Sequence, residues 1–285
     1  MRTLKTGFLL TLLTLLLVFG GEALAGRQGM TFGLIIAVAM NGIAYFFSDK
    51  IALASSGARP VSREEAPRLY AVMERLAAKG NLPMPKLFVI PQAAPNAFAT
   101  GRNPSHASVA VTEGLLELMN DDELEGVIAH ELSHVRNYDI LTTSIAATLA
   151  GAITWIAQMG RFALIFGGYG GDRDRRGGGG LEALLMLIVA PLAALLIQLG
   201  ISRQREYAAD AAGARLVGHP YGLISALEKL GAYNKRIPMT NVSPVTSSLY
   251  IVRPLSAGGV FTGLFSTHPP LPERIEALRR MTVTR

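Results

Sequence analysis

Residues 126–135 read Gly-Val-Ile-Ala-His-Glu-Leu-Ser-His-Val, and within them His130, Glu131 and His134 form an H-E-x-x-H motif. In a helix of 3.6 residues per turn, positions four apart project from one face, so the two imidazoles can converge on a single ion. Glu131 lies about 100° further round, near such an ion without being compelled to ligate it. That is where a general base for a metal-bound water has to stand. The flanking residues support the helix. Asp121, Asp122 and Glu123 put carboxylates at its N-terminus, Leu124, Val127, Ile128, Leu132 and Val135 follow at helical spacing, and no Gly or Pro interrupts 127–139.

A catalytic zinc usually takes three protein ligands and keeps a fourth position open. The extended pattern H-E-x-x-H-x-x-G-x-x-H fails, because Asn137 and Ile140 stand where its Gly and His would be. The other source is a carboxylate on a later helix. Ser202-Arg-Gln-Arg-Glu-Tyr-Ala-Ala-Asp210 places Glu206 and Asp210 one turn apart. Glu206 is expected to ligate the ion, and Asp210 to accept a hydrogen bond from a ligand imidazole. Without the upstream motif the same two carboxylates would read as a solvated face paired with Arg203 or Arg205.

Composition narrows the setting. Half of the 285 residues are hydrophobic and only 17% are charged, which points to membrane segments. The net charge of +6 is spread between apolar blocks without a basic, aromatic-interleaved patch, so it reads as membrane-flanking charge and not as a nucleic-acid surface. With no cysteine, disulfides and thiolate ligands are excluded, leaving imidazole and carboxylate for a zinc ion.

Gly7–Leu24 and Met30–Phe47 are apolar runs of about eighteen residues, long enough to cross a bilayer core. The first also fits a cleaved signal peptide, since Ala23-Leu-Ala25 resembles a processing site. In either case Met30–Phe47 returns the chain to the cytoplasmic side, where Lys50, Arg59, Arg63 and Arg68 follow. From about residue 60 the sequence is that of a soluble domain. A helix over 61–78 opens with a Ser62 cap and Glu65, Lys86–Ile90 reads as a strand, and Asn96–Thr100 with Ser108–Val111 forms an antiparallel hairpin around Gly101-Arg-Asn-Pro104. Its edge, Asn96, Ala97, Phe98 and Ala99, would bind an extended substrate by backbone hydrogen bonds, or would only cover the active helix.

Ile140–Ile165 and Leu181–Gly200 form a second apolar pair, separated by the glycine- and arginine-rich linker 167–180. The pair reads as a helical hairpin in the membrane, either spanning or shallower. The three arginines of the linker fit poorly with an outside position. An excursion that begins and ends on one side leaves His134 and Glu206 in the same compartment. Four regions result: 1–50, the N-terminal transmembrane pair; 51–139, the first part of a cytoplasmic protease domain; 140–201, the hydrophobic hairpin; and 202–285, the second part, with the E-x-x-x-D helix and C-terminal helices. The expected fold is mainly α with a small antiparallel β-sheet, in a multi-pass membrane protein.

These features together resemble the HtpX type of membrane-bound zinc endopeptidase, related to the CAAX prenyl proteases. The resemblance rests on the N-terminal apolar pair, Asn96-Ala-Phe-Ala99, His130 to His134, the apolar hairpin, Ser202 to Asp210, and Ser266-Thr-His-Pro-Pro270 with Arg274. It implies a gluzincin fold, one Zn²⁺ held by His130, His134 and Glu206, and Glu131 as base. It also implies clearance of misfolded membrane and cytoplasmic proteins under stress, at the inner membrane with the site facing the cytoplasm. The same likeness makes His268 and Arg274 candidates for oxyanion stabilisation or substrate binding, against a simpler reading of a helix-start turn. His106 and His219 are assigned no metal.

Downstream, Tyr221–Ala232 and Pro272–Arg280 read as helices, and Asn241–Leu264 as a long loop. Two rival functions share these motifs. One is a membrane-anchored metal-binding holdase without cleavage, and the other a prenyl-protein processing protease.

Overall fold

The computed structural model describes residues 2–151, 203–236, 249–251 and 269–281. The remainder of the apolar hairpin, the linker 167–180, most of the 241–264 loop and His268 lie outside the described residues.

Helix α1 (Arg2–Ser55) folds back on itself at Gly26, whose φ of +59° is a left-handed conformation that glycine adopts without a Cβ clash. Asn41 Nδ2 then reaches the Leu10 carbonyl at 3.2 Å and Thr14 Oγ1 at 2.9 Å, which holds the two limbs antiparallel. The limb Gly26–Ser55 is long and apolar enough to cross a membrane, whereas the apolar part of the first limb, Thr6–Phe19, is shorter than expected. Large apolar side chains on these limbs stay exposed, Phe8, Phe19, Phe32, Ile35, Val38 and Phe46 among them. A surface of that kind is unfavourable in water and favourable in lipid.

After β1 (Arg59–Pro60), helix α2 covers Pro67–Lys79 and not 61–78. Ser62 and Glu65 do exchange hydrogen bonds, but as a turn ahead of the helix. The reason is Pro67, which sits in the first turn and pushes Ala66 out of helical geometry, to φ −136°.

Strands β2 (Lys86–Ile90), β3 (Ala97–Gly101) and β4 (Ala107–Thr112) join β1 in a sheet of order β1-β2-β4-β3. The expected hairpin is present, with Ala97 opposite Val111 and Thr100 opposite Ser108. The sheet as a whole is mixed and not antiparallel. β4 inserts between β3 and β2, and so runs parallel to β2, Lys86 beside Ser108 and Ile90 beside Thr112. β3 is therefore an edge strand.

Short α3 (Glu113–Leu118) leads into α4 (Asp121–Arg136), the centre of the domain. Leu124, Val127, Ile128, Leu132 and Val135 are fully buried, as their spacing predicts. α4 packs against α2, β3, α6 (Arg203–Val217) and α7 (Tyr221–Arg236). A helix enclosed on so many sides has little freedom to move, which suits one that carries a reaction centre. Its direction ends at Asn137–Tyr138, Tyr138 having φ +58°, and helix α5 leaves over 139–151. Helix α8 (Leu271–Arg279) packs on α6 and α7.

The start of α4 is fixed by a capping box that the acidic trio obscures: Asn120 accepts from the Glu123 N–H at 2.9 Å, and Glu123 accepts from the Asn120 N–H at 2.9 Å. Glu123 is buried and also accepts from Lys229 at 2.7 Å and Ser225 at 2.6 Å. Burial opposes its charge, but these hydrogen bonds outweigh it and hold the carboxyl below its ordinary pKa. With a depressed folded-state value, this stabilisation is complete above the unfolded pKa of about 4.3 and is lost as pH falls through the folded value. We expect Glu123→Gln to cost about 1.5–3 kcal/mol, the worth of hydrogen bonds to a charged group, and to flatten the acid limb of stability. Denaturation followed at neutral pH and at pH 4 checks this; an unchanged neutral-pH midpoint would refute it.

Candidate metal centre

His130 and His134 rise from one face of α4, and Glu206 enters from α6. Gly213 lets α6 lie this close, since a Cβ there would stand 3.0 Å from the His130 amide nitrogen. The two Nε2 atoms are 3.3 Å apart, Glu206 Oε1 is 3.5 Å from His134 Nε2, and Glu206 Oε2 is 3.8 Å from His130 Nε2. A tetrahedral zinc with bonds of 2.0–2.2 Å separates its ligand atoms by about 3.3–3.6 Å. Two of the three separations fall in that range and the one between His130 and Glu206 is slightly longer. The side chains thus stand close to the spacing of such a site, and their donor set of two imidazoles and a carboxylate suits the ion chemically.

Both imidazoles are backed on Nδ1. Asp210 Oδ1 is 2.8 Å from His130 Nδ1, as expected from its place one turn after Glu206. Asp210 is itself clamped by Arg274, through Nε at 2.8 Å and Nη2 at 2.6 Å. Burial raises the pKa of Asp210, but Arg274 outweighs it and the net shift is downward. Burial likewise works against the charge of Arg274, and Asp210 reverses that, so the guanidinium is held more firmly protonated than usual. Arg274 is wholly buried and also donates to the Ile251 carbonyl at 3.0 Å, so the structure places it behind His130 and not along the β3 edge. Burial pushes His130 toward the neutral form a ligand needs.

His134 has Asp139 Oδ2 3.4 Å from its Nδ1, and Arg205 Nη1 lies 3.8 Å from Asp139 Oδ1. Burial disfavours the His134 cation, but Asp139, Glu206 and Glu131 together outweigh it and raise the pKa. Sequence reading missed Asp139 and the contact it makes with Arg205.

Glu131 is buried beside this cluster. Burial is the main reason its carboxyl is pushed up to about 7, with Glu206 adding to the shift and His134 and a hydrogen bond from the Ala99 backbone opposing it. The Ala99 contact brings β3 against the centre. Along that strand Asn96 and Phe98 are buried, Asn96 Oδ1 accepts from the Ala97 N–H, and the Ala97 carbonyl accepts from the Ile251 N–H at 2.9 Å. Tyr250 packs edge-on against Phe98, ring centroids 5.4 Å apart. The edge is thus not free at Ala97. His106 is exposed on a short 3₁₀ turn, and neither it nor His219 joins the cluster.

The chain is similar to known proteins over nearly its whole length. Residues 63–282 match the model of peptidase family M48. The chain is 54% identical over 275 residues to a protein named Protease HtpX homolog from Desulfatibacillum aliphaticivorans, covering 96% of this chain and 88% of that one. It is 53% identical over 283 residues to a protein of the same name from Syntrophotalea carbinolica, covering 99% and 100%. Among solved structures, the crystal structure of S. mikatae Ste24p aligns with a TM-score of 0.50 at 24% identity, over 95% of this chain. The chain spans 62% of the length of Ste24p, and the likeness at that identity is one of fold.

Proposed function

The chain belongs to peptidase family M48, and from that premise we propose that it is a membrane-anchored zinc endopeptidase acting on unfolded or misfolded proteins at the inner membrane. The observation that carries this reading is the spacing of the His130, His134 and Glu206 ligand atoms, all within 4.8 Å of one another, with a buried carboxylate beside them. His130, His134 and Glu206 would hold the metal. When bound there, zinc supplies Lewis acidity and a water acidified to near neutrality. Glu131 would accept a proton from the attacking water and deliver it to the leaving amine as the C–N bond breaks, a task for a carboxyl whose pKa burial raises.

An extended substrate would lie along β3, where pairing would take over the Ala97 carbonyl from Ile251, the Ala97 N–H from Asn96 and the Ala99 backbone from Glu131. Backbone pairing of this kind selects extended, unfolded chain over any one sequence. The exposed apolar limbs of α1 anchor the domain in lipid, and the basic residues that follow favour a cytoplasmic site in a multi-pass arrangement.

The test is cleavage of an unfolded model protein such as casein by the detergent-purified chain, stripped with chelator and then given zinc. Cleavage is expected to vanish on stripping and to return with zinc. Equal cleavage by the metal-free protein would end the metallopeptidase reading.

A further inference from the structure

We propose that Asp139 is the positioning residue of His134, steadied in turn by Arg205. This pair fixes the His134 arm of the centre as Asp210 and Arg274 fix the His130 arm. The inference rests on the reading of His134 as a metal ligand.

Asp139 follows His134 by five positions. In an uninterrupted helix five residues make about 500°, so Asp139 would point some 140° away from His134. The chain avoids this by ending α4 at Arg136 and turning through Tyr138 at φ +58°, a conformation that residues other than glycine seldom adopt. That turn brings Asp139 Oδ2 to 3.4 Å from His134 Nδ1. The carboxylate is nearly buried, at 7% exposure, and so has little water to turn to. Its second oxygen faces Arg205 Nη1 at 3.8 Å, and Arg205 immediately precedes Glu206. Asp139 also opens α5, where its carbonyl accepts from Thr143 Oγ1 at 2.9 Å.

An imidazole that ligates through Nε2 carries its proton on Nδ1, and a carboxylate accepting that proton sets both the tautomer and the ring orientation. The His130 arm has the same parts at shorter range, 2.8 Å from imidazole to Asp210 and 2.6–2.8 Å from Asp210 to Arg274. The His134 arm is the looser of the two. It also ties the centre to α5, whose Thr142 Oγ1 lies 3.0 Å from Thr6 Oγ1 of α1. A carboxylate placed to hold a ligand thus stands at the junction between the peptidase core and the apolar helices.

The measurement is zinc affinity by chelator competition on the full chain in detergent, with the absorption spectrum of the cobalt-loaded protein as a second readout. Asp139→Asn is expected to weaken zinc binding about tenfold, the lower end of the range for such partners, and to alter the cobalt band. It should lower kcat with little change in KM. Arg205→Gln should shift affinity in the same direction and by less. Thermal unfolding of the metal-free variants separates this from misfolding, because a positioning role predicts weaker zinc binding at an unchanged metal-free midpoint. Wild-type affinity and an unchanged cobalt spectrum in Asp139→Asn would overturn the inference while leaving the metal site standing. Failure of the wild-type chain itself to bind zinc would remove both.

Discussion

Replacing Glu131 with Gln is expected to abolish peptide cleavage while leaving the metal in place. The substitution keeps the volume and the hydrogen-bonding reach of the side chain but removes its capacity to take a proton. Positioned general bases contribute about 10²–10⁴ in rate, so cleavage should fall at least a hundredfold. Zinc content should stay near one per chain, because Glu131 is not one of the three converging groups. His130→Ala and His134→Ala should lose metal and activity together. The same role predicts a pH limb. Burial holds the carboxyl up to about 7, and a base acts only when deprotonated, so activity should fall as pH drops through its pKa. A bound cation favours the carboxylate and moves that limb lower. Casein cleavage and metal content measured on the same preparations check the prediction; a Gln variant that cleaves at the wild-type rate would show that some other group moves the proton.

Arg274→Met should give the largest loss of stability among single changes around the centre. Arg274 is wholly buried and grips Asp210 with two donors, so its removal strands a carboxylate away from water. Breaking a buried pair on one side costs about 3–5 kcal/mol. Arg274→Lys should recover only part of this, since an ammonium cannot reproduce the planar fork. The double variant Arg274→Met with Asp210→Leu should regain much of the stability, because the Asp210 carboxylate leaves with its partner and only the longer contact of Arg274 with Glu206, at 3.9 Å, is lost unanswered. It should still bind zinc about 10–100-fold more weakly, because His130 has lost its partner. Denaturant midpoints and chelator competition across the four proteins separate the two effects. A single Arg274→Met variant as stable as wild type would show that Asp210 has another counter-charge.

The central helix and its chemistry were legible because both obey one period. His130 and His134 are four apart, and so are Glu206 and Asp210; the apolar positions between them follow the same turn. The hairpin was legible from its flanking turn residues. What escaped depended on breaks in regularity or on distant parts of the chain. Asp139 lies on the wrong side of any continuous helix through His134, and nothing in the letters around Tyr138 announces a left-handed turn. The parallel pairing of β2 with β4 follows from where the hairpin inserts, which periodicity does not encode. The start of α2 was legible in principle, since Pro67 outranks a Ser62 cap, as was the Asn120–Glu123 box behind the acidic trio. The bond from Ile251 to β3 joins residues too far apart in sequence for any local pattern.

The clamp on Asp210 also sets a biosynthetic clock. Arg274 is 64 residues later in the chain than Asp210 and 144 later than His130. At 5–20 residues per second, roughly 7–30 s separate synthesis of the first imidazole from synthesis of the guanidinium that completes its support. During that interval the nascent chain carries the H-E-x-x-H helix with Asp210 missing or uncompensated. The peptidase thereby matures late, after α8 has joined the fold.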